Sequence, residues 1–339
     1  MQLIAIDSYT AFHEIGLQLN AAVVSKDAAI ESLAYSQLVK HHKHIQLWAA
    51  MSDDATIPLA RIIVFYKPSD PATAYWGWYQ ANDQLNSVLF WEAITKKQHL
   101  LGAKQLVGPL LGTTWFEYRY KLTLDAPLVF GEPIHPELYL QQLQQAGFVP
   151  WKQFNTAWST LERVKIKSLA KLADRMQEKG LTFESITTTL EAQHLRAFHH
   201  LTTVCFKGNT GFEEIDFEVY QLLMKGLGNS MDRSLSFAFL YEGQPIAYLI
   251  TQQLLEAPAA LNVDKDRCRV LRNFAVSPDF RNQGLGLMLA DFFHALCAQK
   301  NIHTYIYALM SAAELSDRGA ATLLGAQPLA SYALFQKAC

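Results

Sequence analysis

The sequence predicts an α/β fold of the α+β mixed-sheet kind, built twice in one chain. Three observations predict it. The 339 residues are more than one hydrophobic core ordinarily serves and suit two domains. The same order of strand and helix patterns occurs on either side of the stretch 161–180. In both halves hairpin-like alternation gives way to a strand–helix–strand pattern, which marks a parallel pair beside antiparallel edge strands.

Each half opens with a hairpin: QLWAAMSD and IPLARIIVFY in the first, LSFAFLYEG and QPIAYLITQQL in the second. Both return strands carry a Pro at or near their start, where a missing ladder donor is tolerated. A third strand follows, ATAYWGWYQ and RVLRNFAV, then a helix, LNSVLFWEAITKKQHLLGA and GLMLADFFHALCAQK. A buried strand comes next, KQLVGPL and IHTYIYALM, followed by an amphipathic helix. These helices, HPELYLQQLQQAGF and SAAELSDRGAATLLGA, each end near a Gly. QFNTAWSTLE and SYALFQKAC close the two halves. Between them LERVKIKSLAKLADRMQEKG is rich in charge and lacks aromatics. Its Ile166, Leu169, Leu172 and Met176 recur at helical spacing. The expected organisation is therefore a domain over 1–162, a linker or helix over 163–180, and a domain over 181–339.

Half of the residues are apolar and 18% are charged, a globular composition. A net charge of −2 supplies neither the basic surface that nucleic acid requires nor a polybasic membrane patch. The N-terminus MQLIAIDSYTAFHEIG has early acids and no basic n-region, unlike a signal peptide, and no apolar run reaches membrane-spanning length. Cys205, Cys268, Cys297 and Cys339 are far apart with no CxxC pair, the pattern of reduced thiols in a cytoplasmic protein.

The chemistry concentrates in RVLRNFAVSPDFRNQGLGLMLADFFHALCAQK. A β-rich run ends at Ser277-Pro278-Asp279, a turn signal. Arg281-Asn282-Gln283-Gly284-Leu285-Gly286 then opens a helix with Leu285, Leu289, Phe292 and Leu296 on one stripe. First-turn amides have no intrahelical acceptor, and the helix dipole is positive there. Glycines at 284 and 286 leave those amides open to a diphosphate, and Arg281 adds positive charge at the loop's edge. A bare RxxGxG is more often an ordinary strand–turn–helix, so the context decides. A dinucleotide-binding loop needs GxGxxG after the first strand of its unit, and a nucleotide-hydrolase loop needs GKS or GKT. Neither is present.

Phe274-Ala275-Val276, Pro278, Arg281, Gly284 and Gly286 together resemble motif A of the GNAT superfamily of N-acetyltransferases, and the surrounding order of elements from about Leu181 onward matches as well. The resemblance implies tandem GNAT-like acyl-CoA N-acyltransferase domains. In such a domain acetyl-CoA is the co-substrate, held in a V between two splayed parallel strands, with no metal. The loop amides of 281–286 would hold its pyrophosphate, and the backbone of Phe274, Ala275 and Val276 would meet pantetheine and thioester. The reaction implied is direct attack on the thioester by an amine, on a small molecule or a protein. It needs a proton acceptor, a donor for the carbonyl oxygen and an acid for the leaving thiolate.

Many family members carry a Glu on the strand before the loop, where Val270 and Arg272 stand here, and a Tyr where Ala321 stands. Tyr332, Tyr305 and Tyr307 are the candidate acids, each with packing in the sheet as its alternative. Tyr332 is the expectation for the catalytic position. Glu213, Glu214 and Asp216 are candidate bases, with a solvated helix start as their alternative. Between Trp78 and Leu85 the first half offers no glycine pair and no basic residue, so it is expected to be a copy without a cofactor loop.

Other clusters read as structure. Gly108 to Arg119 is a Gly-rich aromatic loop, either structural or a wall for an acceptor. Lys40-His41-His42-Lys43-His44 reads as a solvated helix end, Tyr75, Trp76, Trp78 and Tyr79 as strand packing, and Cys205 as a buried thiol. An acyl-CoA-binding module without catalysis is the alternative function. An aminoacyl transferase of the peptidoglycan-linking type would want a more basic groove.

Overall fold

The computed structural model describes residues 1–20, 28–126, 134–186, 192–227, 230–254, 261, 263–312, 319–322 and 324–339. The first half runs β1 (Gln2–Ile6), α1 (Tyr9–Asn20), α2 (Ala28–His41), β2 (Lys43–Met51), β3 (Pro58–Lys67), β4 (Asp70–Ala81), α3 (Ser87–Leu100), β5 (Gln105–Gly108), β6 (Tyr120–Lys121), α4 (Glu137–Gln145) and β7 (Val149–Thr160). The second runs α5 (Leu169–Glu178), β8 (Leu181–Ser185), α6 (Ala192–Phe206), α7 (Phe217–Leu227), β9 (Phe237–Tyr241), β10 (Gln244–Gln253), β11 (Cys268–Val276), α8 (Leu285–Gln299), β12 (Thr304–Ser311) and β13 (Gln327–Ala338). The order strand, two helices, three strands, helix, strand is thus met twice. Part of the expected helix between β12 and β13, 313–318 and 323, lies outside the described residues, and 319–322 are helical.

All the strands join one sheet, in the order β1-β2-β3-β4-β5-β13-β7-β12-β11-β10-β9-β8, with β6 on the flank of β13. Read from either end, the list gives one half's strands in sequence and then the other half's last strand. The closing strands have crossed: β13 lies between β5 and β7, and β7 lies between β13 and β12. They pair antiparallel from Gln327↔Trp158 to Gln336↔Val149. Each half therefore lends the other a strand, and sequence order and spatial order part at this seam.

Helices cover both faces, which is why all ten residues of β3 are buried. Phe12, Ala34 and Leu38 from α1 and α2 pack on the face that carries Tyr332 and Leu334, while Phe90, Trp91, Tyr139 and Leu143 from α3 and α4 pack on Ala333 and Phe335. In the second half α6 and α7 cover Tyr248, Ile250 and Ala275. The opposite face is covered by α8 and by α5, whose Leu172 and Met176 are buried. Of the helical spacing read in the 163–180 stretch, Leu169, Leu172 and Met176 fall on α5, while Ile166 lies before the helix and is exposed.

Candidate functional site

The strands β11 and β12 run parallel and pair from Cys268↔Thr304 to Leu271↔Tyr307. Beyond that point β11 continues to Val276 and β12 to Ser311 without pairing each other. The separation has a local cause on each side. On one, the β10–β11 ladder shifts between Ile250 and Thr251, leaving Arg272 as the extra residue. On the other, the β12–β7 ladder shifts between Tyr307 and Met310, and Leu309 adopts a left-handed φ of 61°. Two bulges at one level push the strands apart, and the edge of β11 over Arg272–Val276 is open on the β12 side.

At the open end the chain turns through Pro278–Phe280, with Asn282 at φ 62° and Gly284 at φ 78° as the residue before α8. The first intrahelical bond is Met288 N–H to the Gly284 carbonyl, 3.0 Å. A Cβ built on Gly284 meets nothing within 4 Å, and one on Gly286 meets only the Phe274 ring at 3.6 Å. Space therefore lies open over the loop, beside amides whose helix position leaves them without acceptors. These residues fit a diphosphate. Arg281, Asn282, Gln283 and Gly284 are exposed, while Leu285 and the stripe Met288, Leu289 and Phe292 are buried and fix the helix to the sheet.

Arg281 does more than lend charge. Its guanidinium donates to the Val276 carbonyl at 3.1 Å and to the Cys205 carbonyl at 3.0 Å, tying the loop to β11 and to the end of α6. The Val276 carbonyl is thereby engaged. Burial pushes the Cys205 thiol up to about 11, with Arg281 pulling the other way, so Cys205 stays a thiol.

The candidate proton donors are all buried. Tyr332 is 0% exposed, sits on β13 opposite Phe154, and is separated from β11 by β7 and β12. Its hydroxyl accepts from the Thr156 Oγ1 at 3.5 Å. Tyr332, the expected acid for the leaving thiolate, thus lies on β13 with its hydroxyl bonded to Thr156, whose Oγ1 also accepts from the Leu309 amide on β12. Tyr305 donates to the Ile302 carbonyl at 3.3 Å, and the Tyr307 hydroxyl lies 2.8 Å from His294 Nε2. Burial holds His294 down at about 4, so this pair is neutral. Of the candidate bases, Glu213 pairs with Lys67 at 2.8 Å and Asp216 with Lys40 at 2.6 Å, so both join the two halves. Glu214 is exposed. These acids and Phe217 face His41, His42, Pro68, Ser69 and His199 across a cleft of about 500 Å3. No cluster suited to a metal ion is found among the described residues.

The first half's equivalent opening is filled by its own chain. There β4 pairs with β5 only from Thr73↔Gln105 to Tyr75↔Val107, and Trp78 takes a left-handed φ of 46°. The loop after β5 folds back into the gap. Leu110 N–H donates to the Trp76 carbonyl at 2.8 Å, and the Glu117 carboxylate accepts from the Trp78 amide. Burial raises the Glu117 carboxyl to about 7. The same loop reaches the second half. Tyr118 donates to the Thr210 carbonyl at 2.6 Å, and the Trp115 ring lies edge-on to Tyr220 at 5.6 Å. The aromatic loop read from sequence thus plugs one opening and walls the α6–α7 side of the other half. Nothing in the local sequence marks Glu117 or Thr156 for these places, because their partners lie 39 and 153 residues away.

Residues 195–322 match the family model for the acetyltransferase (GNAT) family. No curated protein shows significant sequence similarity to the chain. Among solved structures, a probable N-acyltransferase from Enterococcus faecalis superposes with a TM-score of 0.54 at 8% identity, over 99% of this chain and 72% of that one. A GCN5-related N-acetyltransferase from Anabaena variabilis gives 0.53 at 8% identity with the same coverages. A tandem GNAT protein from the clavulanic acid biosynthesis pathway aligns over 99% of this chain and 98% of that one, at 10% identity and a TM-score of 0.47. The family match thus lies in the second half, over 195–322, and the whole chain, including the region before that match, shares its fold with these solved structures. Its fold is that of acyl-CoA N-acyltransferases in general.

Proposed function

We propose that the chain is an acetyl-CoA-dependent N-acetyltransferase with one donor site, in its second half. One observation carries this reading. The opening between β11 and β12 leads to a glycine loop over which space is open, while the matching opening of the first half is filled by Leu110 and Glu117. The loop amides of 281–286 and the free edge of β11 would hold the donor, whose thioester supplies the acyl group. The acceptor is an amine of a small molecule or a protein, reaching the thioester from the face covered by α6 and α7. With a net charge of −2, nucleic acid and membrane surfaces are not the expected partners. The free thiols at Cys205, Cys268, Cys297 and Cys339 support a reducing, cytoplasmic setting. Among the described residues no helix is long and apolar enough to cross a membrane.

The second reading, a donor-binding module without catalysis, is favoured by one fact: the hydroxyls of Tyr305, Tyr307 and Tyr332 are buried and engaged. Calorimetry with acetyl-CoA and with CoA is expected to give one site per chain. Thiol release with a panel of amines then separates the readings. Two equivalent sites, or none, overturn the donor assignment, and binding without release for every amine leaves the module.

A further inference from the structure

We infer that Thr156, a residue of the first half, holds open the donor cleft of the second. The inference rests on the donor site proposed above. The splay of β12 away from β11 needs β12 to break its own ladder, and it does so where Leu309 turns left-handed at φ 61°. A bulge leaves a backbone N–H without its ladder acceptor, at a cost unless another acceptor is supplied. Thr156 supplies it. Its Oγ1 accepts from the Leu309 amide at 3.2 Å, and it donates in turn to the Tyr332 hydroxyl at 3.5 Å. Thr156 is 0% exposed, so water does not compete for the hydroxyl. The bulge is thus fixed by a side chain on β7, the strand that the first half contributes to the seam.

The first half tests the logic internally. Its sheet has the same arrangement, with β13 beside β5 in the place that β7 takes beside β12. On β13, Phe335 faces Gly108 at the end of β5 and Leu334 precedes it, and neither side chain offers an acceptor. There the chain after β5 does not diverge. It bonds back to β4 through Leu110 and closes the gap. A hydroxyl is present beside the strand that opens and absent beside the strand that closes. Thr156 is therefore a positioning residue, acting through the backbone of Leu309.

The test uses the full chain with Thr156→Val, which keeps the shape and removes the hydroxyl, and Thr156→Ser, which restores it. The readouts are the CoA dissociation constant, KM for acetyl-CoA against kcat, and amide hydrogen exchange at Leu309. Losing one buried hydrogen bond at the cleft wall is expected to weaken CoA binding about tenfold. Thr156→Val should raise KM for acetyl-CoA more than it lowers kcat and expose the Leu309 amide to exchange. Thr156→Ser should return affinity to within about threefold of wild type. If Thr156→Val melts earlier yet binds CoA normally per folded molecule, the residue is part of the sheet only and the inference falls. It falls equally if Ser is as defective as Val. A wild-type chain that binds no CoA overturns the donor site itself, and this role with it.

Discussion

Replacing Gly284 with Val separates the loop's two duties, its backbone shape and its open space. The position has φ 78°, where an L side chain crowds the following carbonyl at about 1–2 kcal/mol. The added Cβ meets nothing within 4 Å, so no clash adds to that strain and the fold should survive with a melting point lower by several degrees. Binding should suffer far more. An amide bond to a charged phosphate is worth about 1.5–3 kcal/mol, and a branched side chain over the first turn of α8 would deny at least two. The expected loss is thus about 3–6 kcal/mol, more than 100-fold in the dissociation constant for CoA. Calorimetry beside a melting curve and circular dichroism measures both effects. A control is Gly286→Ala, whose Cβ would make only ordinary contact with Phe274 and whose helix position favours Ala by about 1 kcal/mol. Should Gly284→Val bind CoA within threefold of wild type while folded, the loop is not the diphosphate cradle and the reasoning fails.

Two further outcomes are expected. Burial holds the Glu117 carboxyl up at about 7 against an ordinary 4.5, so between these values the folded chain keeps a proton that the unfolded chain gives up. The stability this adds is fully present below about pH 4.5 and fades as pH rises through 7. Its side chain retains some exposure, so the effect is at most about 2–3 kcal/mol. Glu117→Gln keeps an acceptor for the Trp78 amide and should melt higher than wild type at pH 8 but alike at pH 4; equal melting at both would show that the carboxyl is not proton-linked. Arg281→Met removes the donors to the Val276 and Cys205 carbonyls, at about 1–3 kcal/mol in loop order. KM for acetyl-CoA should rise about tenfold with little change in melting point, and unchanged KM would show that the clasp does not shape the loop.

Much of this molecule was legible in the chain as written. Alternation and helical spacing placed β2 to β5 and β9 to β12, because burial of one face repeats every two residues in a strand and every 3.6 in a helix. The glycine loop was legible for a related reason: a left-handed turn and a close approach to backbone amides admit few residues, and Gly284 records that restriction. Repetition of the order of elements was legible too, although hardly any residues are shared between the copies.

Only the tertiary structure decided how the copies close. Nothing in β7 or β13 says which half's sheet it will enter, since both are long apolar-patterned strands and either register buries one face. The exchange placed Tyr332 on β13, across β7 from β12. It also brought Thr156 to Leu309 across 153 residues. The fate of the two openings was likewise hidden. It depends on which backbone amide finds an acceptor, Trp78 on Glu117 and Leu309 on Thr156, and such bonds join residues remote in sequence that no local spacing relates. Sequence fixes what each segment prefers to become. Hydrogen-bond satisfaction between distant segments decides which opening stays open, because a buried amide must be paired by whatever the fold brings to it.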